Sequence, residues 1–150
     1  MPIVLNEWII HDLKGDNGLD SRLESASFLQ SLREGAETIV VLMQSPWMAK
    51  AYQLTREETP AVRILSKFLH LAILMDPLKC HYVDPEEIQP LPKDLAVEVP
   101  MDDVYLFQTA LAGHAEIIVT SDERLIDRVR SAPRRGIQLA RRDDFLRRHL

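Results

Sequence analysis

The chain has 150 residues, 46% of them hydrophobic and 27% charged, with a formal net charge of −5. That length suits one domain over residues 1–150 with one substantial core, and five glycines that form no cluster exclude Rossmann and P-loop nucleotide sites. No apolar run reaches the roughly 18–20 residues of a membrane span; the opening has no basic, long apolar leader, and the single cysteine, Cys80, excludes an internal disulfide, so a cytoplasmic protein is expected.

Pro2 to Leu5 is wholly apolar, the pattern of a parallel strand buried on both faces. Asp16-Asn17-Gly18 is a turn, after which Leu19, Leu23, Ala26, Phe28, Leu29 and Leu32 recur at helical spacing up to Gly35. Thr38 to Met43 is a second buried strand, and Ser45-Pro46 opens a short helix. Thr59-Pro60 starts a third helix, with Val62, Leu65, Phe68, Leu69, Ala72 and Ile73 on one face, ending near Asp76-Pro77. A brief strand fits His81 to Val83. Pro85, Pro90, Pro92 and Pro100 then make most of residues 84–100 loop. Asp102 to Ala112 is helical and Gly113 closes it. Glu116 to Thr120 is a strand, Asp122 to Arg130 a helix, Gly136 to Leu139 a strand, and Asp143 to Leu150 a last helix. This alternation predicts an α/β fold, a sandwich around a parallel sheet.

Charge is unevenly spread. Residues 1–120 hold 9 basic and 18 acidic side chains, whereas residues 121–150 hold 9 arginines and 5 acids. Arginine without lysine suits planar phosphate contacts, with Arg124 and Arg128 the leading RNA-binding candidates; a solvated helical face is the other reading. In an open parallel sheet, functional groups collect beyond the carboxyl ends of the strands, near the point where strand order reverses. That rule selects Asn6, Glu7, His11 and Asp12 after the first strand and Gln44 and Ser45 after the second. It also selects Asp102 and Asp103 before the penultimate strand and Ser121, Asp122 and Glu123 after it. Such oxygen donors suit Mg²⁺ or Mn²⁺ rather than zinc, and the spacing of His11, His70, Cys80, His81 and His114 fits no zinc pattern. Structural roles compete for several of these residues. Asp102 is a good N-cap, Thr120-Ser-Asp-Glu123 reads as a capping box, and Asp12 fits a surface position.

The run from Asp103 through Gln108, His114 and Thr120 to Asp122 resembles the C-terminal half of a PIN domain. There an aspartate opens a helix with an alanine-rich end, and a buried strand leads to Thr-x-Asp. The following Arg124-Leu125, the strand at 136–140 and the closing Asp143-Asp144-Phe145-Leu146 helix resemble the usual ending. The resemblance implies a three-layer α/β/α sandwich around a mainly parallel sheet of four or five strands. It also implies Mg²⁺- or Mn²⁺-dependent cleavage of single-stranded RNA. Many members are toxins held by an antitoxin protein, and a homodimer is a further expected partner. Carried over by position, Asp103 and Asp122 become metal-binding acids and Thr120 the hydroxyl that supports their loop.

The chain departs from that family where a first-strand aspartate is expected. Asn6 stands there, so Glu7 is the nearest replacement ligand and Asn6 a neutral one. The family's further glutamate has no counterpart, Gln44 being nearest to its place. Two functions therefore remain open: a metal-dependent ribonuclease using Asp103, Asp122 and Glu7, or a catalytically impaired PIN-like module that binds RNA or protein. A receiver-like or phosphatase-like reading fails because Asn6 occupies the place of the acceptor or nucleophilic aspartate. Trp8 and Tyr105 are read either as base-stacking platforms or as buried aromatics.

Overall fold

A computed structural model describes residues 1–149. Strands β1 (Pro2–Leu5), β2 (Thr38–Leu42), β3 (Cys80–Val83), β4 (Ile117–Thr120) and β5 (Gln138–Arg141) form one sheet in the order β3-β2-β1-β4-β5. Every pairing is parallel.

The central strands are buried on both faces, and their alternation assigns each residue to a layer. Ile3, Leu5, Ile39, Val41 and Val119 pack into one core with α1 (Trp8–Lys14), α2 (Leu19–Glu34), α3 (Pro46–Leu54), α4 (Pro60–Phe68) and α8 (Arg142–His149). Val4, Val40, Leu42 and Ile118 pack into the other with α5 (Lys93–Ala96), α6 (Val104–Ala112) and α7 (Glu123–Arg128). The result is the expected three-layer α/β/α sandwich, with a wholly parallel sheet of five strands. Gly113 at the end of α6 is required by proximity, since a Cβ there would overlap the Val40 side chain of the sheet.

The chain leaves β1 towards one side of the sheet and β4 towards the other, so strand order reverses between these neighbours. Their carboxyl ends diverge to opposite layers and leave a crevice at the switch point.

Several expectations are corrected. Helix α1 falls on residues to which the sequence assigns no element. Trp8, Ile9, Ile10 and Leu13 are all buried, so no amphipathic stripe announces it, and Gly15 ends it at φ +97°. The third helix keeps its predicted core face but is α-helical only to Phe68. Leu69–Leu74 continues as a wider π-helical turn. The proline-rich stretch contains α5 and a 3₁₀ turn at Pro85–Glu87. The last residue of the expected C-terminal helix, Leu150, lies outside the described residues. Among the described residues, no helix is long and apolar enough to cross a membrane.

Asp12 is neither a surface residue nor part of the crevice. It is 1% exposed and accepts hydrogen bonds from Ser25 Oγ at 2.7 Å, Asn17 Nδ2 at 2.7 Å and Arg142 Nε at 2.8 Å. The Arg142 guanidinium lies over the Trp8 ring, 5.4 Å from its centroid. One residue of the arginine-rich tail is thus an internal rivet joining α1 and α2 to α8. Removing one member of a buried pair leaves the other charge without compensation. Asp12→Ala is therefore expected to cost about 3–5 kcal/mol in urea denaturation, with the Asp12→Ala/Arg142→Met pair costing less than the two single changes together. A loss for the single variant no larger than that of an exposed pair would contradict this role.

Candidate functional site

The carboxyl ends of β1 and β4 are tied together by side chains as well as by the ladder. The Val119 carbonyl accepts the Asn6 backbone N–H at 2.9 Å and the Trp8 indole N–H at 2.8 Å. The fully buried Thr120 hydroxyl oxygen accepts the Asn6 amide at 3.1 Å and the Asp122 backbone N–H at 3.0 Å. Asn6 Oδ1 in turn accepts the Glu7 N–H at 2.7 Å. Asn6 is therefore a strut whose amide donates to one strand end and accepts from its own. A carboxylate in its place would have no N–H to donate to Thr120. Trp8 is 4% exposed and serves as a buried aromatic, which removes it as a base platform.

Glu7 starts α1 but makes no side-chain cap. Its Oε2 lies 2.5 Å from Lys50 Nζ on α3, and its Oε1 accepts the Tyr105 hydroxyl of α6 at 2.9 Å. Burial, then the Glu7 charge, push the Tyr105 hydroxyl far above its ordinary range, so it stays protonated and donates. Both aspartates before α6 escape capping duty. Asp102 and Asp103 lie in a 3₁₀ turn at Met101–Asp103, and Asp103 occupies the N-cap position of α6 without a side-chain cap bond. The expectation that Asp102 caps is thereby corrected: the intervening turn moves the helix start one residue on.

Asp103 is half-buried, and its carboxyl is pushed above the usual carboxylate range. Burial is the largest cause, followed by the charges of Asp122, Asp102 and Glu7. This carboxylate therefore feels the negative charge of three neighbours as well as its burial. Asp122 caps α7, its Oδ1 accepting the backbone N–H of Arg124 at 3.0 Å and of Leu125 at 3.4 Å. The capping box read for Thr120–Glu123 is replaced by this single aspartate cap, because the Thr120 hydroxyl is turned inward to the strand ends. Glu123 is exposed and faces Arg141 at 3.3 Å, away from the aspartates.

An open cleft of about 690 Å³ brings Glu7, Lys50, Asp102, Asp103, Tyr105 and Gln108 together. Asp122 lies beside it, close enough to raise Asp103. Thr120 and Glu123 line a smaller cavity of about 130 Å³ with Arg141, Arg142, Asp143, Asp144 and Arg147. Gln44, left-handed at φ 61°, faces a third, largely apolar cavity and stands in no carboxylate cluster. Arg124 and Arg128 are exposed on α7. Sequence reasoning missed Lys50 entirely. The signal was present, since the rule that singled out Gln44 and Ser45 after β2 extends by one helical turn to the residue that looks back over β1.

Among the described residues, no group of three His, Cys, Asp and Glu side chains is placed to hold a metal ion. The donors at the cleft are nevertheless all oxygens, and a cation already stands among them, the Lys50 ammonium on Glu7. Such a set fits a hard divalent ion held by one or two carboxylates, with water and substrate oxygens completing its shell. Comparison with family models, curated proteins and solved structures finds no match.

An acid with a raised folded-state value ionises at a cost to stability above the ordinary carboxylate range, and at no cost below it. Asp103→Asn is therefore expected to raise the melting temperature by about 2–4 °C at pH 7. The gain should vanish below about pH 4. Thermal melts of the two proteins across pH check this, and an unchanged or lower melting temperature at pH 7 would contradict it.

Proposed function

We propose that the protein is a metal-dependent endoribonuclease that cleaves single-stranded RNA at the β1–β4 switch point. The observation that carries this reading is Asp103, half-buried at the crevice in a cleft that Glu7 and Asp102 also line, with Asp122 close enough to raise its carboxyl. A fold does not gather like charges at a strand-end crevice without cost, and a cation with a phosphodiester is the ligand that reverses the cost. The resemblance of the Asp103–Asp122 segment to PIN domains supports the same chemistry.

In this reading Asp103, with Asp122 and Glu7 drawn towards it by the incoming charge, would hold Mg²⁺ or Mn²⁺, since no three acids of the described residues stand ready around one ion without it. The ion, when bound, activates a water and neutralises charge on the phosphate undergoing attack. Asn6 and Thr120 tie the β1 and β4 ends together, which sets Asp122 beside the cleft that Glu7 lines. Tyr105 fixes the Glu7 carboxylate by donating to it, and its half-buried ring gives an unpaired base a surface on which to stack. Arg124 and Arg128, exposed on α7, take the RNA backbone outside the pocket. An open cleft suits an unpaired strand better than a duplex. A cytoplasmic location, an antitoxin partner and a homodimer belong to the same reading and rest on the sequence arguments alone.

One observation favours the second reading, a PIN-like module without catalysis. Both Glu7 oxygens and both polar atoms of the Asn6 amide are already engaged within the chain. The two readings part in a cleavage assay on single-stranded RNA with Mn²⁺, Mg²⁺ or chelator. The nuclease predicts divalent-dependent cutting, stronger with Mn²⁺, that falls by at least about 100-fold in Asp103→Asn. Equal cutting by both proteins, or none by either, rules it out. Replacing Arg124 and Arg128 together by alanine should lower the slope of log affinity against log salt by about 1.4, or 0.7 for each phosphate no longer neutralised.

A further inference from the structure

We infer that Lys50 is a built-in counter-ion that occupies Glu7 in the metal-free protein and competes with the divalent cation for it; the inference rests on the metal-site reading above. Lys50 Nζ is 2.5 Å from Glu7 Oε2, with the two side chains 37% and 23% exposed. The Tyr105 hydroxyl holds the other oxygen at 2.9 Å. Glu7 therefore presents no unengaged oxygen while Lys50 stays in place. Any cation that ligates Glu7 has to displace the ammonium.

The lysine is not loosely placed. Its ammonium also faces His11 Nε2 at 3.4 Å, and His11 Nδ1 lies 2.9 Å from Asp16 Oδ2. Donation from Lys50 to Nε2 requires the tautomer whose Nδ1–H donates to Asp16. A polar chain thus runs from Asp16 through His11 and Lys50 to Glu7 and Tyr105, and it presents the ammonium at the floor of the acidic cleft. The sheet topology explains the meeting. Glu7 and His11 follow β1, Lys50 follows the adjacent β2, and α1 and α3 cover the same face.

An ammonium carries one positive charge and no vacant coordination position, so it quiets the acidic cluster without supplying chemistry. A divalent ion arriving with an RNA phosphate brings both charge and a ligand for the released ammonium. Lys50 is accordingly a positioning residue that weakens metal binding in the absence of RNA and links it to substrate arrival.

The test is Mn²⁺ binding to the full chain without RNA, followed by the loss of the free-ion electron paramagnetic signal. Lys50→Met is expected to tighten binding about fivefold to tenfold. Lys50→Arg, which keeps the charge, should stay near wild type, and adding Glu7→Gln to Lys50→Met should abolish the gain. Lys50→Gln gives the same comparison if the methionine loosens the fold, with melting curves as the check. Wild type and Lys50→Met binding Mn²⁺ equally would overturn the role of Lys50 and leave the metal site intact. Absence of binding in both would overturn the two together. Tighter binding in Lys50→Met without any RNA cleavage would sustain the counter-ion and sink the nuclease.

Discussion

The whole site hangs on two acceptors at the end of β4, the Val119 carbonyl and the Thr120 hydroxyl. Between them they take the Asn6 backbone, the Asn6 amide, the Trp8 indole and the Asp122 backbone. Each is a hydrogen bond of ordinary length in a buried or half-buried setting, where leaving a donor unpaired costs more than the bond itself contributes. These bonds set how far β1 and β4 open beyond the sheet. They also give the Asn6 amide a structural task, since its N–H donates to Thr120 and its oxygen accepts from Glu7. The position holds the crevice together, and the neighbouring Glu7 carries the charge that meets Lys50.

Charge is handled in two different ways within the same fold. On the α1–α2–α8 side, Asp12 and Arg142 cancel in a buried pair whose two Asp12 oxygens and three Arg142 nitrogens all have partners. At the cleft, Asp102 and Asp103 stand near Glu7 with Asp122 beside them, and among the described residues the Lys50 ammonium pairs with Glu7 alone, so Asp103 is left among like charges. The first arrangement is what stability requires. The second resembles a site that keeps strain for a ligand, because a fully paired cluster would have no affinity left to offer.

Much of the architecture was legible in the sequence because buried parallel strands carry their own signature. Ile3–Leu5, Ile39–Leu42 and Ile118–Thr120 are apolar on both faces, and each is bounded by turn or helix-start residues. The rule about carboxyl ends selected Glu7, Asp103 and Asp122 as candidates, while the strand order that sets the crevice between β1 and β4 came only with the fold. What was hidden depended on distant partners. Asp12 reads as a surface acid until Arg142, 130 positions away, closes on it. Lys50 reads as a solvated helix residue until Glu7 faces it. Helix α1 was hidden for a local reason, since a seven-residue helix buried almost all round has no polar face to mark its period. The 3₁₀ turn at Met101–Asp103 likewise follows from Pro100 and cannot be told from the first turn of α6 by composition.

The most direct measurement is an amide NMR titration of the isotopically labelled protein with substoichiometric Mn²⁺, whose unpaired electrons broaden nearby signals. If the switch-point carboxylates hold the ion, the amides of residues 6–8, 102–105 and 121–123 should disappear first. Those around Asp143-Asp144 and Glu57-Glu58 should persist. Broadening centred on those exposed acids, or spread evenly over the acidic surface, would contradict a metal centre between β1 and β4.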